Sequence, residues 1–357
     1  MAVYIIPIVV LYFFSYVKGK DIKKNIFIIS CLYLAIISGI RFEVGTDYDV
    51  QISYYEWTVQ GLTDSFLEPG FRYYIRFINR FFGDKDFFFL FASFFVMFAF
   101  AFAIVKFVDE EYRIMSLSLY ITTTIFFATM NIERQYIAIG FLVFSLYFFK
   151  EKKYLFTILM YAIAISFHQS AVLFGIFYIL YLLLNYGKNL KIMWIMNGMI
   201  IFSSVWMLFD FRPIIKKIAR IVFLDKYVSY LDSSFFQTRE MDSVFKCIIP
   251  LIIWFVIIYK YNALKEKESN IDYFIPCYFL YVFINNMFYG INVFIRMNMY
   301  FEWIIILLFP SLVSLGKDAM SRFSIKTTIM LYYLLLTVYG IFINNGHAVL
   351  PYQTIFQ

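Results

Sequence analysis

Residues 87–105 read FFFLFASFFVMFAFAFAIV and contain no charged side chain. An α-helix of about 20 apolar residues is what is needed to cross the hydrocarbon core of a bilayer, which is ~30 Å thick. The stretch is continuously apolar and does not alternate between apolar and polar residues, as the strands of a membrane β-barrel do. It therefore predicts a helical membrane span.

The composition of the whole chain agrees with this prediction. Of its 357 residues, 62% are hydrophobic and 15% are charged, whereas soluble domains have about 45–50% and ~25%. A soluble globular enzyme and a disordered chain are excluded. We predict an all-α polytopic integral membrane protein of about 12 transmembrane helices, forming a single membrane domain over residues 1–357. The apolar segments centre on 3–17, 25–40, 87–105, 114–130, 135–149, 154–167, 170–184, 192–209, 244–259, 272–289, 297–316 and 327–343.

The basic residues predict the orientation of these spans. If each segment crosses once, every second loop is rich in lysine, and fifteen of the twenty lysines fall on one side. The positive-inside rule places that side in the cytoplasm. The opposite loops hold nine of the eleven arginines, an excess that the rule does not predict. A guanidinium fork binds phosphate and carboxylate groups, so the outer face is predicted to bind an anion. These arginines are Arg41, Arg72, Arg76, Arg80, Arg134, Arg212, Arg220, Arg239 and Arg296.

Two of the outer loops are long, at 41–86 and 210–243. We expect both to carry re-entrant or interfacial helices. In the second loop, the apolar side chains of residues 214–228 recur at near-helical spacing, which is typical of an amphipathic helix lying on a membrane surface.

Polar groups at the outer ends of the predicted spans are the candidate site residues. Placing an ionisable group in or near the hydrocarbon core costs free energy, so such a group usually has a function. Arg41 could instead be a snorkelling anchor, and His168 could cap a helix. Glu133 and Arg134 are neighbours and face different directions on a helix, so each could pair with another helix. The candidates are Arg41, Gly45, Asp47, Asp49, Glu133, Arg134, Gln135, His168, Arg296 and Tyr300.

Cofactors and nucleic acid are not expected. The sequence Asp47-Tyr48-Asp49 reads as DxD, a pattern that holds a divalent metal in many glycosyltransferases, but two carboxylates are too few ligands for a fixed site. We predict a metal-independent protein, with a divalent ion at Asp47 and Asp49 as the alternative. No basic stretch is long enough to follow a nucleic-acid backbone.

Several short motifs resemble one family. They are GIRFEVGTDYD at 39–49, EPGF at 68–71, ERQ at 133–135, SFHQS at 166–170, RMNMYF at 296–301 and Pro351-Tyr352. Their identities and order are similar to those of the EpsG family of Wzy-like exopolysaccharide and O-antigen polymerases, and the likeness covers nearly the whole chain.

The resemblance implies a GT-C-like glycosyltransferase in the bacterial cytoplasmic membrane, with its active site facing outside. Such an enzyme joins oligosaccharide repeat units that are carried on undecaprenyl diphosphate, transferring the growing chain to a new lipid-linked unit. Its partners would be the lipid-linked donor and acceptor, the bilayer, a flippase and a chain-length regulator. Arg41, Arg134 and Arg296 are expected to bind diphosphate, and Asp47 or His168 is expected to be the base that activates the acceptor.

Two other functions fit the same residues. A polytopic ligase that transfers a finished glycan would also carry outer arginines and a histidine. A flippase or transporter would place polar groups near the membrane midplane and often has repeated or broken helices, whereas here the ionisable groups gather at the outer ends of the predicted spans.

Overall fold

The computed structural model describes residues 1–63, 66–186, 190–209, 213, 217 and 245–356. Within these ranges the chain is helical, and the one strand-like feature is an isolated bridge between Arg41 and Thr354. The predicted all-α class is therefore confirmed. The amphipathic helix predicted within 210–243 lies outside the described residues.

The chain divides into two compact units. The first consists of Met1–Val172 together with Ile306–Gln357, and the second is Leu173–Ile305. That the chain forms a single membrane domain stays a prediction. The first unit begins with nine helices in the part of the chain described up to residue 167. They are α1 (Ala2–Tyr16), α2 (Lys20–Gly39), α3 (Tyr48–Val59), α4 (Pro69–Phe82), α5 (Asp86–Phe107), α6 (Arg113–Thr122), α7 (Ile125–Thr129), α8 (Glu133–Lys150) and α9 (Tyr154–Phe167).

The second unit is arranged around one buried helix. Its described helices are α10 (Gly175–Tyr186), α11 (Leu190–Trp206), α12 (Phe245–Tyr259), α13 (Tyr261–Lys267), α14 (Ile271–Met287) and α15 (Asn292–Glu302). Helix α14 packs against α10, α11, α12 and α15. The chain then returns to the first unit through α16 (Ile305–Val313) and α17 (Ala319–Thr337), which continues into a π-helical turn at Val338–Ile343.

Packing in the first unit brings the loop at 41–86 next to the end of α9. Helix α2 packs on α5, α5 on α8, and α8 on α9. Helices α3 and α4 form within the predicted outer loop 41–86, and α4 lies against α3, α5 and α9. The first residues of α4 thereby meet the chain that follows α9.

The predicted span 114–130 is not one helix. It breaks between α6 and α7 at Thr124, whose φ of 68° is left-handed. Just before the break, the hydroxyls of Thr122 and Thr123 donate to the carbonyls four residues earlier, at 2.9 and 2.7 Å. Such back-bonding competes with regular helix geometry and bends helices. Across the interface, the hydroxyl of Thr337 donates to the carbonyl of Thr122 at 2.6 Å and satisfies it at the break.

Several described helices have the length and composition of a membrane span. Three qualify alone, namely Lys20–Gly39, Asp86–Phe107 and Ala319–Ile343. The number rises to five if each of two pairs of helices, bent at a short break, counts as one span. The first pair is Lys246–Tyr259 with Tyr261–Lys267, and the second is Arg296–Glu302 with Ile305–Val313. Four further apolar helices have 10–17 residues. Each of the twelve predicted segments contains helix, while the number of crossings stays a prediction.

Candidate functional site

The carboxylate of Glu68 joins three separate segments of the first unit. Its Oε2 accepts a hydrogen bond of 2.7 Å from Nη1 of Arg134 at the start of α8. Its Oε1 lies 3.2 Å from Nδ1 of His168 and accepts a hydrogen bond of 3.2 Å from the backbone N–H of Gln169. We call Glu68, Arg134 and His168 the Glu68 cluster. All three side chains are partly exposed to solvent.

The local sequence explains why Glu68 reaches this position. Pro69 is the first residue of α4, and the fixed φ of proline suits the first turn of a helix. Glu68 therefore sits at the helix start with extended backbone. Gly70 lets the helix approach the end of α9, because a Cβ built there would contact the Ser166 hydroxyl and lie 2.8 Å from the Ser166 carbonyl oxygen. A glycine at residue 70 is thus required for Glu68 to meet His168.

Two aromatic rings hold the Arg134 side chain in place. The guanidinium carbon lies 5.1 Å from the ring centroid of Tyr54 and 5.6 Å from that of Phe71. A cation near the face of an aromatic ring is attracted to its negative quadrupole. Tyr54 comes from α3 and Phe71 from α4, so both helices formed within 41–86 orient Arg134.

The charge of Glu68 is maintained by its partners. Burial raises the pKa of Glu68, but the hydrogen bond with His168 and the charge of Arg134 outweigh burial and lower the pKa to about 2. An ionised carboxylate only accepts hydrogen bonds, so the proton of this contact lies on Nδ1 of His168. In the neutral form of the ring, the opposite nitrogen, Nε2, is then the acceptor.

A second ion pair lies one residue earlier on α8 and is buried. Nη2 of Arg41 is 3.5 Å from Oε2 of Glu133, and the two side chains are 0% and 2% exposed. The Arg41 guanidinium also donates to the carbonyls of Ser38 and Met130, and it lies 4.3 Å from the ring centroid of Phe89. The pair ties the end of α2 to the start of α8.

Gly45 and Asp47 lie in the turn that leads into α3, and Asp49 lies in the first turn of that helix. Gly45 has a φ of 111°, and a Cβ there would lie 2.7 Å from Oδ1 of Asn131. Asp47 occupies the N-cap position of α3, and Asp49 is exposed in its first turn. Among the described residues, no group of three or more His, Cys, Asp or Glu side chains could hold a metal ion.

The C-terminal segment covers this turn. The backbone N–H of Gly45 donates to the carbonyl of Ala348 at 3.0 Å, and that of Phe42 donates to the carbonyl of Gln353 at 3.1 Å. The amide of Asn131 donates to the carbonyl of His347 at 3.1 Å. The predicted family motif at Pro351-Tyr352 therefore lies in a segment that packs on the turn beside Arg41.

The other three candidates are Gln135, Arg296 and Tyr300. Gln135 is buried on α8. Arg296 is exposed and Tyr300 is buried, and both belong to α15 of the second unit. Of the predicted site residues, the structure thus brings Arg134 and His168 to one carboxylate, and it pairs Arg41 with Glu133.

Glu68, which holds the cluster together, was not among the residues predicted for the site. The signal for it was an acidic residue directly before a proline and a glycine, in the motif EPGF at 68–71. Tyr54 and Phe71 were also missed, because an aromatic residue that faces an arginine cannot be told from other aromatic residues in a chain with 31 tyrosines and 47 phenylalanines.

Comparison with known proteins identifies one family. The family model described as "EpsG family" matches residues 24–354. No curated protein and no solved structure matches the chain. The matched range contains every residue of the Glu68 cluster, the pair of Arg41 and Glu133, and α15.

Proposed function

The chain belongs to the EpsG family, and on that basis we propose that it is a polysaccharide polymerase. It would be a membrane glycosyltransferase that joins undecaprenyl-diphosphate-linked oligosaccharide repeat units at the outer face of the bacterial cytoplasmic membrane. The observation that carries this proposal is the Glu68 cluster, which combines an arginine that can bind phosphate with a histidine that can take a proton.

In the proposed reaction, a hydroxyl of the acceptor sugar attacks the anomeric carbon of the donor sugar. The hydroxyl proton passes to Nε2 of His168 as the new C–O bond forms. The bond between the anomeric carbon and the diphosphate oxygen breaks, and its electron pair leaves with the diphosphate. Arg134 stabilises the charge that develops on that oxygen. The proton on His168 is then released to water.

Glu68 is a positioning residue in this reaction. Its carboxylate holds Nδ1–H of His168, so that Nε2 faces the acceptor, and it stabilises the imidazolium that forms when the proton arrives. Its low pKa keeps the carboxylate ionised at neutral pH. A carboxylate of this kind is a poor base, which supports His168 as the proton acceptor in preference to Glu68.

The other predicted residues receive separate roles. Of the two candidate bases we assign the role to His168, because the carboxylate of Glu68 orients its imidazole. Burial of Arg41 against Glu133 supports a positioning role for Arg41 in place of diphosphate binding. Arg296, which is exposed on α15, is kept as a proposed diphosphate ligand.

The proposal includes a topology of about 12 spans with a GT-C-like arrangement. The outer placement of the Glu68 cluster is supported by the lysine-rich loops on the other side of the predicted membrane. The diphosphate would be stabilised by arginine without a metal ion. A flippase that supplies the lipid-linked unit and a regulator of chain length are the proposed protein partners.

The test uses the purified chain in nanodiscs with an undecaprenyl-diphosphate repeat unit, and resolves the products by size. We expect a ladder of polymers from the wild type, and its loss in His168→Ala and Arg134→Lys, since lysine keeps the charge but not the guanidinium fork. Arg322→Lys, the same change on α17 at the predicted cytoplasmic side, should leave the ladder intact.

Three outcomes would contradict parts of the proposal. Near-normal polymer from Arg134→Lys would remove the diphosphate-binding role of Arg134. Transfer of a single glycan to another acceptor, without a ladder, would identify a ligase. Movement of the lipid across liposomes without new glycosidic bonds would identify a carrier.

A further inference from the structure

We propose that α4 and the last turn of α3 form a second lipid site, which binds the isoprenoid diphosphate of the acceptor. The inference rests on the proposed polymerase function, because a polymerase must hold two lipid-linked substrates at once. The Glu68 cluster supplies Arg134 for the donor diphosphate. The acceptor needs a separate cationic site, away from the reacting atoms.

Helix α4 has three different faces. One face is fully buried against the protein and consists of Phe71, Ile75 and Ile78. A second face carries an arginine at every fourth position, which is one side of an α-helix. We call it the arginine stripe, and it consists of Arg72, Arg76 and Arg80. The third face is apolar and exposed, and we call it the aromatic stripe. It consists of Tyr73, Phe77 and Phe81, which are 69%, 51% and 68% exposed.

The arginine stripe borders an open groove of about 510 Å³. The groove is lined by Arg76, Asn79 and Arg80 of α4 and by residues 58–61 at the end of α3. None of these lining residues is acidic. The amide oxygen of Asn79 accepts a hydrogen bond of 3.3 Å from the hydroxyl of Tyr55, which fixes the orientation of this amide at the groove.

Three carbonyls in the last turn of α3 are already hydrogen-bonded within the chain. The carbonyl of Glu56 accepts from the N–H of Gln60, that of Trp57 from Leu62, and that of Thr58 from Gly61, at 3.1, 2.8 and 3.1 Å. The groove therefore combines two guanidinium groups with a helix end at which the carbonyls of residues 56–58 already accept hydrogen bonds.

The chemistry of the two stripes matches an isoprenoid diphosphate. Arg76 and Arg80 lie one turn apart, about 6 Å along the helix axis, so each can pair with one phosphoryl group through its fork. The aromatic stripe beside them offers exposed rings to an apolar tail, as interfacial helices do. A phospholipid with a single phosphate would satisfy one of the two arginines.

The position of the groove suits the acceptor. Arg76 lies eight residues after Glu68, which is about 12 Å along the axis of α4. In the proposed reaction the acceptor hydroxyl belongs to the non-reducing end of a repeat unit, whereas the diphosphate is at its other end. An acceptor anchored in the groove can therefore extend its oligosaccharide along α4 to His168.

The test counts bound lipids on the purified full chain by native mass spectrometry, with sugar-free undecaprenyl diphosphate as the probe. We expect the wild type to bind at least two molecules. Arg76→Gln/Arg80→Gln should lose one of them, or bind it at least tenfold more weakly. Lys20→Gln/Lys24→Gln, which removes two exposed charges at the same spacing on α2, should bind as the wild type does.

Two further experiments test whether binding needs the guanidinium fork and whether it is specific for the isoprenoid diphosphate. Arg76→Lys/Arg80→Lys keeps the charge and removes the fork, so it should lose affinity while the protein keeps the wild-type melting temperature. Excess phosphatidylglycerol should fail to displace the probe. Equal displacement would show that α4 binds anionic lipids in general and would overturn the proposal, as would wild-type stoichiometry in the Gln variant.

Polymer assays test the role of this lipid site separately from the proposed polymerase reaction. If the site holds the acceptor, Arg76→Gln/Arg80→Gln should raise the KM for the lipid-linked acceptor at least tenfold, with a smaller change in kcat. An unchanged KM in a polymer-forming variant would contradict the second site alone. A wild type that binds two probes but forms no glycosidic bond would contradict the proposed reaction and leave the lipid site standing.

Discussion

The carboxylate of Glu68 accepts a hydrogen bond of 2.7 Å from the guanidinium of Arg134, 66 residues further along the chain. Glu133, the neighbour of Arg134, points the other way and pairs with Arg41 inside the protein. The first turn of α8 thus takes part in two ion pairs of different character. One is partly exposed and includes His168, and the other is buried and joins α2 to α8.

Removing the charge of Glu68 should lower kcat for polymerisation far more than it changes the KM for the lipid-linked substrates. Glu68→Gln keeps the size of the side chain but no longer stabilises the imidazolium of His168. We expect kcat for polymerisation to fall about 100-fold, within the usual range for loss of general base catalysis, while the KM for the lipid-linked substrates changes little. Steady-state kinetics on the purified chain checks this, and an unchanged kcat would contradict the positioning role.

The pairing of Glu68 should make stability depend on pH in the acidic range. Its pKa is about 2 in the folded chain, against an ordinary value of 4.5. The ionised form therefore contributes stability above pH 4.5, and this contribution is lost as the pH falls from 4.5 toward 2. The gap in melting temperature between wild type and Glu68→Gln should narrow as the pH falls below 4.5. A gap that widens on acidification would contradict the ionised pair.

A double-mutant cycle should separate the two possible roles of Arg41. Arg41→Met leaves the Glu133 carboxylate buried and unpaired, which costs about 3–5 kcal/mol of folding free energy. Arg41→Met/Glu133→Met should recover most of that loss, since apolar replacements of a buried ion pair are often neutral. The readout is thermal stability in detergent.

The same double variant tests the function of the pair. If Arg41 only positions α2 and α8, the stable double variant should keep diphosphate binding. If Arg41 binds the diphosphate directly, the double variant would be stable and yet fail to bind it. Lys20→Met, which breaks an exposed pair with Glu110 at 3.7 Å, is the control and should change stability little.

Gly70→Ala should reduce activity by misplacing Glu68. The added Cβ would lie 2.8 Å from the carbonyl oxygen of Ser166, so α4 must move away from α9. A displacement of about 1 Å at a reacting group can cost on the order of 100-fold in rate. Gly198→Ala is the control, because among the described residues no atom outside its own helix backbone lies within 4 Å of its added Cβ. Equal polymer yields from the two variants would contradict this account of Gly70.

Chelation tests the alternative role of Asp47 and Asp49. We expect polymer formation by the purified chain to survive EDTA, because arginine is proposed to stabilise the leaving diphosphate. Loss of turnover with EDTA, restored by Mg²⁺ or Mn²⁺, would instead support a divalent ion at these two carboxylates. Asp49→Asn should then abolish the restoration.

Sequence patterns predicted the helical class and the positions of most helices well. Apolar run length is a local property, so the segments at 87–105 and 154–167 coincide with α5 and α9 to within a few residues. The break at Thr124 was not predicted, since it depends on threonine hydroxyls competing for backbone carbonyls and on Thr337 from a distant helix. Motif residues also marked Arg134 and His168 without showing what joins them.

What the sequence determined by itself is the kind of molecule. Composition and run length decide whether a chain buries its backbone in lipid as helices. The match of the family model to residues 24–354 identifies the EpsG family. Only the tertiary structure decided which charges meet. Arg41 and Arg134 are both arginines at the predicted outer ends of apolar segments. Arg41 is buried with Glu133, whereas Arg134 is partly exposed and pairs with Glu68. Pairing depends on how α2, α4, α8 and α9 pack, and that geometry is set by contacts between residues far apart in the chain.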